Sequence, residues 1–84
     1  MKKEATADQL RAARAALGWQ IELLANRSGV SVRTIIRYED TKGVPASRSG
    51  NLEKLVLTLE SAGIEFIGTP DDGPGIRLRP RPTP

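Results

Sequence analysis

Eighty-four residues carrying 13 Lys+Arg against 10 Asp+Glu, with no cysteine and no histidine, leave room for one small domain. Without His or Cys there is no ordinary zinc site, thiol nucleophile, imidazole base or disulfide frame. No apolar run approaches the ~20 residues that span a bilayer. The opening Met1-Lys2-Lys3-Glu4 leads into no secretory segment, so the expectation is a cytoplasmic protein with no membrane partner, metal or cofactor. A domain this small buries only about 60% of its unfolded surface, which favours a binding surface over an enzyme cleft. The net charge of +3 suits a phosphate-rich partner without demanding one.

Thr6-Ala7-Asp8-Gln9 has the form of a capping box, and Leu10, Ala13 and Leu17 fall on one stripe before Gly18. The first helix is therefore expected over about 7–17. Residues 20–28 make a second, two-turn helix with Ile21, Leu24 and Ala25 inward, stopped by Gly29. Ser31 stands ready to cap a third helix over 32–40 with Ile35 and Tyr38 inward. Neither short helix is stable alone, so both must pack on the first. Pro45 holds 41–50 in a loop, and Leu52, Leu55, Val56 and Leu59 form the stripe of a fourth helix ending near Gly63.

After Gly63 the apolar period falls from 3.6 to 2. Ile64 to Ile67 and Gly75 to Arg79 read as two strands around a long, turn-rich connection, Gly68 to Gly75. Such a hairpin needs either the helical body or a second copy of itself. Pro80-Arg-Pro-Thr-Pro84 reads as an extended, disordered tail. The organisation expected is a helical domain over 1–63, with two short helices joined by a tight turn at about 20–40, a β-hairpin extension over 64–79, and the tail 80–84.

Helix, tight Gly-containing turn, helix between Gln20 and Glu39 is the spacing of a unit whose second helix enters the DNA major groove. The residues Leu10-Arg-Ala-Ala-Arg14, Leu17-Gly-Trp19, Leu24-Ala25, Gly29-Val-Ser31, Thr34-Ile35, Arg37 and Glu39, then Pro45 and the Leu-rich fourth helix, resemble the phage-repressor-like, XRE-type helix-turn-helix regulators. The resemblance covers roughly residues 5–63. It implies a mainly α, lambda-repressor-like domain of about four helices, here with a C-terminal two-strand β extension, and a regulator rather than an enzyme.

Carried over residue by residue, the resemblance makes Val32, Arg33 and Arg37 the base readers. Ser31 would cap the recognition helix and touch phosphate. Lys42 and the Gly43 amide match positions that grip the DNA backbone, and Arg14 with Glu39 matches a structural ion pair. Thr34 is either a hydroxyl turned into its own helix or a phosphate or base contact. Arg11 is a phosphate contact or has no role in binding. Ile36, apolar where exposure is expected, would meet a thymine methyl, a sugar or a protein partner. Two positions depart from the pattern. Gln20-Ile21 shifts the polar residue that usually opens the second helix, leaving Gln20 to cap and contact backbone. Thr41 replaces the usual closing glycine, so the third helix should end differently near Gly43.

One recognition helix reads about half a site, so a homodimer on a near-palindromic operator is expected, with Ile64, Phe66, Ile76 and Leu78 forming the dimerisation surface. The leading reading is a sequence-specific double-stranded DNA-binding regulator acting as a repressor. The alternative is an antitoxin or other interaction module whose hairpin or tail takes a toxin or another protein partner. Asp71 and Asp72 are solvated turn residues rather than catalytic acids. The arginines at 77, 79 and 81 either brush DNA or keep the hairpin soluble.

Overall fold

The computed structural model describes residues 4–47 and 49–79; the expected tail lies outside them. Its elements are α1 (Ala7–Leu17), α2 (Ile21–Ser28), α3 (Val32–Glu39), α4 (Asn51–Ser61), β1 (Ile64–Thr69) and β2 (Asp72–Leu78). All four helices and both strands lie where periodicity and punctuation put them, within a residue or two except at the hairpin turn.

Local chemistry explains the boundaries. The Gln9 N–H donates to Thr6 Oγ1 at 3.1 Å while the Thr6 N–H donates to Gln9 Oε1 at 2.9 Å, closing the capping box of α1. Gly18 and Gly29 end α1 and α2 in the left-handed region, where a Cβ would cost about 1–2 kcal/mol. α3 stops without that device. Asp40 caps it at φ −91°, Thr41 turns its hydroxyl back onto the Arg37 carbonyl at 3.0 Å, and the positive φ is deferred to Gly43.

The core is formed by Leu10, Leu24, Val30, Ile35, Tyr38, Leu55, Val56 and Leu59, all buried. Each large aliphatic side chain removed from water contributes about 1.5–3 kcal/mol, which is what holds the two-turn helices α2 and α3 in place. Ile64, only 3% exposed, belongs to the same cluster, and Phe66 and Ile76 pack against it.

β1 and β2 pair antiparallel, Ile64 opposite Leu78 and Phe66 opposite Ile76. One expectation is corrected here. The connection is not a long loop: pairing continues through an irregularity to Thr69 opposite Asp72, leaving only Pro70-Asp71 as the turn. Gly68 makes this close approach possible, because a Cβ on it would run into the Gly73 carbonyl. The four apolar hairpin residues meet the helical body to different extents. They share one side of the sheet, and that side is turned onto the helical body. Ile64 lies in the core, Phe66 and Ile76 are half-buried against it, and only Leu78, 47% exposed, remains open.

Gln9 completes this docking. Its Nε2 donates to the carbonyls of Ile67 and Gly75 at 3.1 and 2.8 Å. One side chain thus caps α1 and binds both strands.

Candidate nucleic-acid interface

α3 is amphipathic in a way that separates support from display. Ile35 and Tyr38 are buried, Val32 and Thr34 half-buried, and Arg33, Ile36 and Arg37 exposed. Its N-terminus is set by Ser31, whose Oγ accepts from the Thr34 N–H at 3.1 Å and donates to Thr34 Oγ1 at 3.0 Å. The Thr34 hydroxyl therefore accepts from Ser31 and keeps its own proton for an outside acceptor.

The other end of α3 is held by α1. Glu39, 7% exposed, receives Arg14 in a two-pronged salt bridge: Nε to Oε2 and Nη2 to Oε1, both 2.8 Å. Arg14 Nη1 also donates to the Trp19 carbonyl at 3.1 Å. The Glu39 hydrogen bonds push the Arg14 pKa above its ordinary value, against the opposing effect of burial. Arg11 joins Asp8 and donates to the Glu39 carbonyl, placing a cation at the negative end of the α3 dipole. Two arginines of α1 thus fix the axis of α3 relative to the body.

Of the nine cations among the described residues, four are ion-paired and five are not, Arg27 on α2 and Lys54 on α4 among the latter. Arg11, Arg14, Arg77 and Arg79 are ion-paired. Arg33, Arg37 and Lys42 form no ion pair among the described residues, and all three are exposed on α3 and the loop after it. Gly43 in that loop, at φ +75°, gives its carbonyl to the Ala7 N–H at 2.9 Å. This anchors the loop to the start of α1.

Gln20 is exposed at the N-cap of α2, and its side chain makes no capping hydrogen bond. The capping role expected for it is corrected: an extended N-cap residue with a side chain this long does not fold back onto its own first turn. Trp19 packs on the core edge, and the Arg27 guanidinium lies 5.1 Å from its ring centroid.

Sequence reasoning did not find the neighbours of Ile36. Ile36 is 51% exposed and lines a shallow groove of about 240 Å³ with Arg11, Ile21, Glu39 and Asp40. The i, i+4 spacing of Ile36 and Asp40 was the available signal. Ile21 arrives from another helix, which spacing does not reveal.

The family model described as Helix-turn-helix matches residues 10–45, from within α1 to the loop after α3. No curated protein matches the chain. Capped α3, its locked C-terminal end and its cations lie wholly within the matched segment, and the match supports a DNA-binding helix-turn-helix unit of the XRE type there.

Proposed function

We propose that the protein is a sequence-specific regulator that inserts residues 31–40 into the major groove of a near-palindromic operator, as a homodimer, and represses by occupying promoter DNA. Its helical body is read as lambda-repressor-like. The observation that carries this reading is the display face of α3: among the described residues Arg33 and Arg37 stand exposed and without an ion pair on a helix whose other face and far end are fixed. An arginine so placed offers two donors to O6 and N7 of guanine, worth about 1–3 kcal/mol of discrimination. Val32 packs on a thymine methyl. Ser31, Thr34, Lys42, the Gly43 amide and Gln20 take the phosphates, which position the helix but carry no sequence information.

Selection of duplexes from a random pool by the purified protein tests this. The expected product is an inverted repeat with half-site centres about 34 Å apart. Arg33→Ala or Arg37→Ala should relax preference at one base position per half-site by about 5–150-fold. Equal loss on selected and random duplexes would remove the base-reading roles.

A further inference from the structure

The hairpin has two outer edges, and they are not equivalent. The Arg79 N–H donates to the Gly63 carbonyl at 2.8 Å, so residues 63 and 79 are a hydrogen-bonded pair. Antiparallel ladders alternate, which makes Glu65 with Arg77 the next such pair and turns the backbone groups of Ile64 and Phe66 outward on β1, and those of Ile76 and Leu78 outward on β2. Among the described residues none of these outward groups has a hydrogen-bond partner. The β1 edge is closed at Ile64, which is buried against the body. The β2 edge is open: Ile76 is half-exposed, and Arg77, Leu78 and Arg79 are exposed.

An open edge invites a strand, and the sequence of β2 restricts which one. Proline has no N–H, and Pro74 and Pro80 stand two residues beyond Ile76 and Leu78 on either side. A second copy of β2 running antiparallel can be centred on Ile76, on Arg77 or on Leu78. Centring on Ile76 sets Leu78 against Pro74, and centring on Leu78 sets Ile76 against Pro80; both lose ladder bonds. Centring on Arg77 sets Ile76 of each copy opposite Leu78 of the other, so that every outward N–H and C=O of these residues is paired. In that register the exposed Leu78 side chain also meets the partner's Ile76, since both lie on the body-facing side of the sheet. Arg77 faces its own copy across the axis, a like-charge pair moderated by Glu65, which each Arg77 already contacts at 3.2 Å.

We propose that the outer edge of β2 is the two-fold seam of the protein: a second copy of this chain pairs with it antiparallel about Arg77, giving a four-stranded sheet in the order β1-β2-β2-β1. The proposal rests on the dimeric reading above and names the surface that makes it.

The natural chain has no cysteine, so single cysteines report pairing directly. Arg77→Cys brings two thiols together at a non-hydrogen-bonded pair with Cα atoms about 4.5 Å apart, within disulfide reach. Glu65→Cys places its thiol one strand further from the axis. Under mild oxidation the full-length Arg77→Cys protein is expected to form a covalent dimer at least about tenfold faster than Glu65→Cys, because only the former meets the geometric requirement. Leu78→Asp should convert the dimer seen by light scattering to monomer with unchanged helical circular dichroism. Faster crosslinking of Glu65→Cys, a dimer unaffected by Leu78→Asp, or a monomeric wild-type protein at all concentrations would overturn the seam. Duplex binding by the wild-type protein is read separately, so failure to select DNA sinks the regulator reading while leaving the crosslinking result standing.

Discussion

Glu39 is the residue whose loss should be felt furthest from its own position. Its carboxylate is nearly enclosed, and both oxygens are committed to Arg14, which retains 23% side-chain exposure. Removing one partner of a fully buried pair costs about 3–5 kcal/mol. The remaining exposure of Arg14 lowers this, and Glu39→Gln should cost about 2 kcal/mol in urea unfolding. Duplex affinity should fall further than stability alone explains, because the C-terminal end of α3 loses its charged tie to Arg14 and keeps only the Arg11 bond of its two links to α1. Glu65 is the opposite case, an exposed acid beside two exposed cations. The Arg79 hydrogen bond holds its pKa below the ordinary 4.5, with Arg79 and Arg77 charges adding to the effect and a small desolvation opposing it. A carboxylate depressed in the folded state stabilises above its unfolded pKa, and that contribution disappears as pH falls through the folded one. An NMR titration should therefore place the Glu65 midpoint below 4.5, and Arg79→Ala should move it upward.

At the scale of elements, Gln9 is where sequence and structure part. The capping box was legible because its four residues are contiguous and its geometry is local. The Gln9 bonds to the carbonyls of Ile67 and Gly75 join positions far apart in the chain, and no local period encodes them. Gln9→Ala should cost about 2 kcal/mol, combining a lost cap with two lost hydrogen bonds. Amide exchange over 64–78 should accelerate more than over α2 and α3. The hairpin turn departs from expectation for a related reason: Gly, Pro and Asp clustered between two short apolar runs signal irregular chain. Here the glycines instead let pairing continue through a bulge. Strand alternation puts Ile64, Phe66, Ile76 and Leu78 on one face of the hairpin but does not tell whether the body or a second copy covers it. The helices fared better, since Thr6, Gly18, Gly29 and Ser31 mark termini by their own chemistry. Among the interface residues, exposure of Arg33 and Arg37 follows from helical spacing, whereas the pairing of Arg11 with the Glu39 carbonyl needs two helices already in place.

For the whole molecule, a net +3 understates what a duplex would meet. Of the nine cations among the described residues, four are internally neutralised and five are not, and three of those five, Arg33, Arg37 and Lys42, stand exposed on α3 and the loop after it. Binding should weaken steeply with salt as phosphate neutralisation releases counterions. Lys42→Ala should lower affinity for all duplexes alike and reduce the slope of log K against log salt by about 0.9 per protein subunit, measured by fluorescence anisotropy across a salt series.

On the proposed reading, the bonds made by α1 have a consequence for the DNA site. Near its start the helix grips the hairpin through Gln9, and further along it grips the end of α3 through Arg11 and Arg14. With the seam on β2, the path from one reading helix to its twin runs through two copies of α1 and the sheet between them, with no free loop in series. α1 then works as a gauge: it converts a strand register fixed by two prolines into a fixed number of base pairs between half-sites. A protein built this way tolerates change in the bases it reads more readily than change in the distance between them.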